Sequence, residues 1–222
     1  MRKNKRLLVA VLITVILNIF GPLAASGWVF SLNPIADDRN SYFAPHLLGK
    51  WKVKAFLSNG KEIHGLEGIE FDVLCEVKEK NRGYVIKLNF EDDLELEFDA
   101  RLARYWGETW LELRPSLDSL VEFIGEDSIH PLLVVELFYF FKVEEMGKNL
   151  VLSVLDPMWT LDRLQSVSRH MKYVYREFEP GIGRIYLTSE PHELRAFLAR
   201  ASRFPEALPN AIKLVRSEDQ RD

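Results

Sequence analysis

One stretch of the chain, from Leu94 to Leu102, alternates apolar and charged residues without interruption. Only an extended strand places every second side chain on the same face, so the stretch predicts a β-strand with one buried and one solvent-facing side. A single strand of this kind cannot bury its apolar side alone, because a sheet needs several strands or a second layer to enclose a core. The alternation therefore predicts a protein built from strands of the same character.

Further stretches repeat the alternation and are separated by turn signals. Strands are predicted from Leu48 to about Leu57 and at residues 69–77, 84–90, 109–113 and 135–143, with shorter ones at 150–155, 173–178 and 184–187. Asn59-Gly60 and Gly83 mark hairpin turns. About eight or nine short antiparallel strands favour a closed or nearly closed barrel, because closure removes exposed sheet edges. The predicted fold class is mainly β.

Two or three short helices accompany the strands. Asp156 followed by Pro157 is typical of a helix start, with an acidic cap and a proline at the first helical position. A later helix begins near Pro191, since the residues that follow have apolar side chains at helical spacing. These are Leu194, Phe197, Leu198 and Ala201. The less regular segment 116–133 indicates a third, short helix.

The N-terminus has the pattern of an export signal. Residues 1–6 are basic, and residues 7–20 are apolar apart from Thr14 and Asn18. Ala24-Ala25-Ser26 then provides the small residues that a signal peptidase requires. The pattern predicts an N-terminal hydrophobic helix, which is either a signal peptide cleaved before Gly27 or an uncleaved anchor at residues 7–25. Either alternative places the body outside the cytoplasm: in the periplasm, secreted, or anchored to the inner membrane.

Charge and cysteine content exclude several classes of function. The net charge is −4, and the basic leader contributes four positive charges, so the residues after it carry −8. An acidic body is a poor partner for phosphate backbones, and we predict no nucleic-acid binding. A single cysteine, Cys75, excludes an internal disulfide and a cysteine-based zinc site.

Several short pieces of the chain resemble a family of uncharacterised bacterial lipoproteins with a lipocalin-like barrel. The pieces are residues 31–34, 48–51, 130–132, 155–159 and 187–198, in that order. Gly49 and Trp51 also resemble the start of a lipocalin, where the tryptophan closes the barrel floor. The family carries an acylated cysteine just before the first piece. This chain has Gly27-Trp28-Val29-Phe30 there, so lipid anchoring is not implied. The resemblance implies a lipocalin-like fold and no established activity.

These patterns divide the chain into four parts. Residues 1–26 are predicted to be the signal peptide or membrane anchor, and residues 27–46, rich in turn signals, a linker. Residues 47–204 are predicted to form the lipocalin-like barrel, and residues 205–222 a charged tail.

The apolar faces of the predicted strands point to the barrel interior. The residues that we predict to line a ligand site there are Trp51, Phe71, Tyr84, Phe98, Tyr139 and Phe141. A barrel of about eight strands is wide enough either to be filled by its own side chains or to hold one small ligand. The bulk of these residues favours a filled interior. The tyrosines favour a pocket, because a buried hydroxyl requires a partner that a ligand or water can supply.

Phe138 and Phe140 fall on the nominally solvent-facing side of their predicted strand. Something has to cover them, whether a helix, a neighbouring subunit or a partner. We therefore also predict a patch at Phe138 and Phe140 on which a protein partner could dock.

No set of residues predicts a reaction. The five histidines lack the spacing of a helical metal site, and the Gly-x-Ser-x-Gly pattern of serine hydrolases is absent. Gly181-Ile182-Gly183 lacks the third glycine and following helix of a phosphate-binding loop. We predict no catalytic residues, no metal and no cofactor.

Two functions remain open from the sequence. The first is an extracytoplasmic barrel that binds an apolar or amphipathic small molecule. The alternative is a membrane-tethered interaction protein with a filled barrel and an aromatic docking patch. Membrane association is expected only through the N-terminal segment, if it is uncleaved.

Overall fold

The computed structural model describes residues 27–63, 70–78, 81–90, 94–116, 137–146, 148–167, 170–179 and 182–217. The predicted N-terminal helix and the short helix predicted in segment 116–133 lie outside these ranges, apart from Ser116. In the described ranges the protein is mainly β with largely antiparallel pairing, as the alternation predicts.

The described residues form thirteen strands and two α-helices. The strands are β1 (Gly27–Ser31), β2 (Ser41–Tyr42), β3 (Gly49–Ser58), β4 (Lys61–Ile63), β5 (Glu70–Lys78), β6 (Asn81–Phe90), β7 (Leu94–Tyr105), β8 (Glu108–Pro115), β9 (Tyr139–Met146), β10 (Asn149–Val154), β11 (Tyr173–Glu179), β12 (Ile182–Leu187) and β13 (Asn210–Arg216). The helices are α1 (Pro157–Ser166) and α2 (Pro191–Ala201), with single 3₁₀ turns at Pro45–Leu47 and Pro205–Ala207.

Most strands belong to one large sheet, here called the main sheet. Its order is β13-β10-β9-β8-β7-β6-β5-β3-β4, and β2 adds to β7. β13 also pairs with β3, from Asn210 opposite Ser58 to Arg216 opposite Trp51. The pairings of eight strands, β3, β5 to β10 and β13, therefore form a cycle that returns to its starting strand.

A second, small sheet has the order β1-β12-β11. β1 runs parallel to β12, with Gly27 opposite Gly183 and Ser31 opposite Leu187. The small sheet joins the main sheet where Ser31 and Phe138 exchange two backbone hydrogen bonds of 2.9 and 3.0 Å.

Two hydrophobic cores result from this arrangement. The first core is formed by one face of the main sheet and contains Trp51, Phe56, Leu102 and Ile212. The second core lies between the other face of the main sheet and a layer made by the small sheet and both helices. It contains Trp110 from the main sheet and, from the covering layer, Ile185, Leu187, Leu194 and Leu198.

Both predicted helices of the described region are confirmed. The Asp156 carboxylate accepts a hydrogen bond of 2.7 Å from the Trp159 N–H and caps α1. At the start of α2, the Glu190 N–H donates to the Glu193 carboxylate at 3.2 Å. No helix among the described residues has the length and apolar character that crossing a bilayer requires.

Two predicted boundaries are wrong. Residues 27–46 are not a linker: β1 and β2 pair with other strands, and Ile35 and Ala36 lie in the second core. The tail predicted at 205–222 contains β13, whose Ile212 and Leu214 belong to the first core. The prediction failed because the charged residues that follow β13 obscured its short run of apolar positions.

Candidate ligand site

The structure brings most of the predicted lining residues together. Trp51, Tyr84, Phe98 and Phe141 are buried in the first core, and Tyr139 packs against it. Phe71 lies opposite Trp51 in the pairing of β3 with β5, but its side chain is outside the described residues. Five of the six predicted lining residues therefore lie on one face of the main sheet, in the first core or against it.

One end of the strand cycle, here called the closed end, is covered by residues 42–48. The Trp51 indole N–H donates to the Leu47 carbonyl at 2.9 Å. The Tyr84 hydroxyl accepts from the Ala44 N–H at 2.6 Å, and the Phe43 ring stacks on Tyr84 at 5.2 Å. The covering segment is thus fixed by side chains of the first core.

Arg216 completes the closed end from the last strand. Its guanidinium lies over the Trp51 ring, 5.1 Å from the centroid, and donates to the His46 carbonyl. Such a contact between a cation and an indole face is attractive and shields the ring from water. The end at which β3 starts and β13 finishes is therefore closed by the chain itself.

The backbone of Ala44 supplies a partner for the Tyr84 hydroxyl, which donates to the Ala44 carbonyl at 3.3 Å as well. The sequence left a ligand or water as the expected partner of a buried tyrosine hydroxyl. Tyr84 requires neither, because the covering segment provides its hydrogen-bond partners.

At the opposite end of the cycle, here called the far end, the small sheet meets the main sheet. Tyr139 begins β9 there, and its ring contacts Phe30 edge-on at a centroid distance of 5.0 Å. Phe30 in turn stacks on Tyr186 at 5.6 Å. Burial raises the pKa of Tyr139 to about 12, opposed by the positive charge of Arg184. Tyr139 therefore connects the first core to aromatic and cationic groups of the small sheet.

Both cores contain completely buried side chains and slightly exposed ones. In the first core, Leu102 keeps 1% of its surface exposed, whereas Ile86 and Phe98 keep 8% and 9%. In the second core, Ile185 keeps none and Val29 keeps 8%. Residual exposure of this size therefore does not distinguish the two cores.

The docking patch predicted at Phe138 and Phe140 is wrong. Both side chains lie in the second core, with 7% and 5% of their surface exposed. The covering layer of the same chain conceals them, which is the first of the alternatives that the sequence left open. They are unavailable to a partner in this fold.

A buried carboxylate that the sequence does not predict lies at the junction of the two layers. Glu112 is 5% exposed and accepts hydrogen bonds from the backbone N–H groups of Ile35 and, at 3.1 Å, Ala36. Burial raises the pKa of Glu112, while these two bonds and the nearby Arg101 and Arg114 oppose the rise. The alternation in β8 placed Glu112 on the solvent-facing side, so only the second layer reveals its burial.

Three further residues complete this polar junction. The Tyr105 hydroxyl donates to the Ile35 carbonyl, and burial raises its pKa. Arg195 of α2 forms an ion pair with Asp37 and lies over the Tyr105 ring. The hydrogen bond from Arg195 holds the pKa of Asp37 below its ordinary value. The junction thus fastens the segment after β1 to both layers, which is a structural task.

Among the described residues, no group of three or more His, Cys, Asp or Glu side chains could hold a metal ion. His46 pairs with Glu145 at 2.9 Å, whereas His64 and His130 lie outside the described ranges.

Comparisons with known proteins leave the chain without an assigned relative. No protein-family model, no curated protein and no solved structure matches it. The resemblance to bacterial lipoproteins remains an expectation from the sequence.

Proposed function

We propose that the eight-strand cycle is a lipocalin-like barrel whose interior binds one apolar or amphipathic small molecule. The observation that carries the proposal is the cycle of eight paired strands, which has the apolar and aromatic first core on one face. Coverage of one end by residues 42–48 supports it further, since the Tyr84 and Trp51 side chains fix this segment across the strands. Ligand sites of small barrels are concave, mostly apolar and open at one mouth.

A matched pair of substitutions tests whether the interior has room for a ligand. Leu152→Trp adds bulk to the first core, and Leu198→Trp adds the same bulk to the second. We expect the Leu152→Trp protein to fold with stability within about 1 kcal/mol of wild type and to lose binding of the neutral fluorophore N-phenyl-1-naphthylamine. Leu198→Trp should destabilise the protein by about 3 kcal/mol or more, because Leu198 is completely buried between the two layers.

Fluorescence titration and urea denaturation provide both measurements. The proposal is refuted if the wild-type protein does not bind the fluorophore, or if the two tryptophan variants are equally destabilised. Native mass spectrometry of protein from its own host adds an independent measurement, since an occupied interior gives a mass above that of the bare chain.

The proposed location is outside the cytoplasm, supported by the basic and apolar pattern of residues 1–26. β1 begins at Gly27, the residue after the predicted cleavage site, so cleavage there would leave every described strand intact. A fusion of residues 1–40 to alkaline phosphatase, which is active only after export, should give phosphatase activity in a bacterial host. An inactive fusion of normal abundance would exclude export.

A further inference from the structure

One face of the small sheet, here called the arginine face, combines aromatic rings with two guanidinium groups. Phe30 and Val174 are each register partners of Tyr186, and Arg176 is the partner of Arg184. Register partners share a face of a sheet, as do residues two apart in one strand, so all five side chains lie on the same side. The opposite side carries Ile185 and Leu187 into the second core.

The arginine face continues into the proposed ligand site. Phe30 contacts the Tyr139 ring, and Tyr139 packs against the first core. Arg184 and Tyr186 both lie close enough to influence the ionisation of the Tyr139 hydroxyl. An elongated molecule in the barrel interior would therefore meet this face where it leaves the far end.

The charge of the arginine face is opposite to that of the protein body. The residues after the leader carry −8, yet these five side chains include two arginines and no acid. A guanidinium has five N–H donors and binds carboxylates or phosphates with two parallel hydrogen bonds. Arg184 can therefore bind an anion while keeping other contacts within the chain. The Tyr139 hydroxyl stays protonated at neutral pH and is a hydrogen-bond donor.

We propose that the ligand is an anionic amphiphile, with its apolar chain in the barrel interior and its acidic head group bound by Arg184 beside Tyr139 and Tyr186. The proposal rests on the proposed function and adds the class of ligand. Carboxylate and phosphate head groups share the chemistry that Arg184 recognises, so the test includes both.

The test measures displacement of N-phenyl-1-naphthylamine by three compounds with the same chain: dodecanoate, dodecyl phosphate and 1-dodecanol. We expect at least one of the anions to bind about tenfold more tightly than the alcohol, as one charge-assisted pair provides. Arg184→Gln should remove most of that preference and leave the affinity for dodecanol unchanged. Arg200→Gln, at an exposed position of α2, is the control and should change neither.

The outcomes separate this inference from the proposed function. If the fluorophore and dodecanol bind but neither anion is preferred, or Arg184→Gln keeps the preference, the head-group site is refuted and the binding barrel stands. If Arg184→Gln weakens the anions and the alcohol alike, its role is structural and the inference also fails. If the wild-type protein binds no compound, both proposals fail. Arg184→Lys keeps the positive charge but cannot form the two parallel hydrogen bonds of a guanidinium. It should retain part of the preference for the anions over dodecanol. This variant replaces Arg184→Gln if the glutamine variant does not fold.

Discussion

At the scale of single residues, Glu112 shows how a polar side chain fixes the junction of two layers. Its carboxylate accepts from two consecutive backbone N–H groups, those of Ile35 and Ala36, which would otherwise be buried without partners. β8 alone predicts an exposed glutamate at this position, because charged residues alternate with apolar ones there. The burial follows from a segment more than 70 residues earlier in the chain, and sequence periodicity contains no information about that contact.

Replacing Glu112 tests this role. Glu112→Ala should destabilise the protein by about 2–4 kcal/mol, since it leaves two buried N–H groups unpaired. Glu112→Gln keeps an acceptor and is the matched control, with a smaller loss. Equal losses in urea denaturation would contradict a role for the acceptor.

The raised pKa of Glu112 predicts how the difference in stability between wild type and Glu112→Gln depends on pH. The folded protein holds the proton of the Glu112 carboxyl group more tightly than the unfolded chain does. In the unfolded chain the pKa of this glutamate has its ordinary value of 4.5. The stability of wild type relative to Glu112→Gln should therefore be greatest below pH 4.5 and fall as the pH rises through the folded pKa. Urea denaturation of both proteins across this range measures the difference, and a difference that rises with pH would contradict the assignment.

At the scale of elements, two hairpins use the same turn geometry with different residues. The β3–β4 turn has Asn59 and Gly60 at φ values of 51° and 74°, and the β7–β8 turn has Trp106 and Gly107 at 46° and 85°. Both central residues of such a turn need positive φ, which asparagine and glycine tolerate and bulky side chains do not. The Asn59-Gly60 turn was predictable from sequence for that reason. The Trp106-Gly107 turn has no such signal at its first position.

Exchanging the first turn residues should have opposite effects on stability. Trp106→Asn removes the strain of a bulky residue at positive φ and loses few contacts, because Trp106 is 68% exposed. We expect a gain of about 0.5–1 kcal/mol, visible as a rise of a few degrees in Tm. Asn59→Trp is the reverse exchange and should lower stability by a similar amount. A loss of stability in Trp106→Asn would show that the indole makes contacts of its own.

At the scale of the whole molecule, β13 decides whether the strand pairings form a cycle. It pairs with β10 on one side and β3 on the other, so the first and last strands of the main body meet through it. Without β13, both neighbours would present unpaired edges. The segment predicted to be a charged tail therefore contains the strand that completes the enclosure of the first core.

Neighbouring substitutions in β13 separate its inward and outward positions. Ile212→Asp places an unpaired carboxylate among the buried side chains of the first core and should unfold the protein, at a cost of about 3–5 kcal/mol or more. Lys213→Asp alters an outward side chain that pairs with Glu62 at 3.5 Å, and should cost about 1 kcal/mol or less. Circular dichroism and thermal denaturation measure both. A folded Ile212→Asp protein with wild-type Tm would contradict the position of β13 in the core.

The sequence by itself determined strands β3 and β5 to β12, the helix starts at Asp156 and Pro191 and most of the aromatic set of the first core, because these depend on local periodicity and capping. Only the tertiary structure decided that Phe138 and Phe140 are covered by the chain itself, that Glu112 is buried and that Phe30 of the small sheet contacts Tyr139. Each of those outcomes depends on segments far apart in sequence that meet through the second layer. Alternation of apolar and polar residues along a strand indicates which side chains share a face of the sheet. It does not indicate what packs against that face.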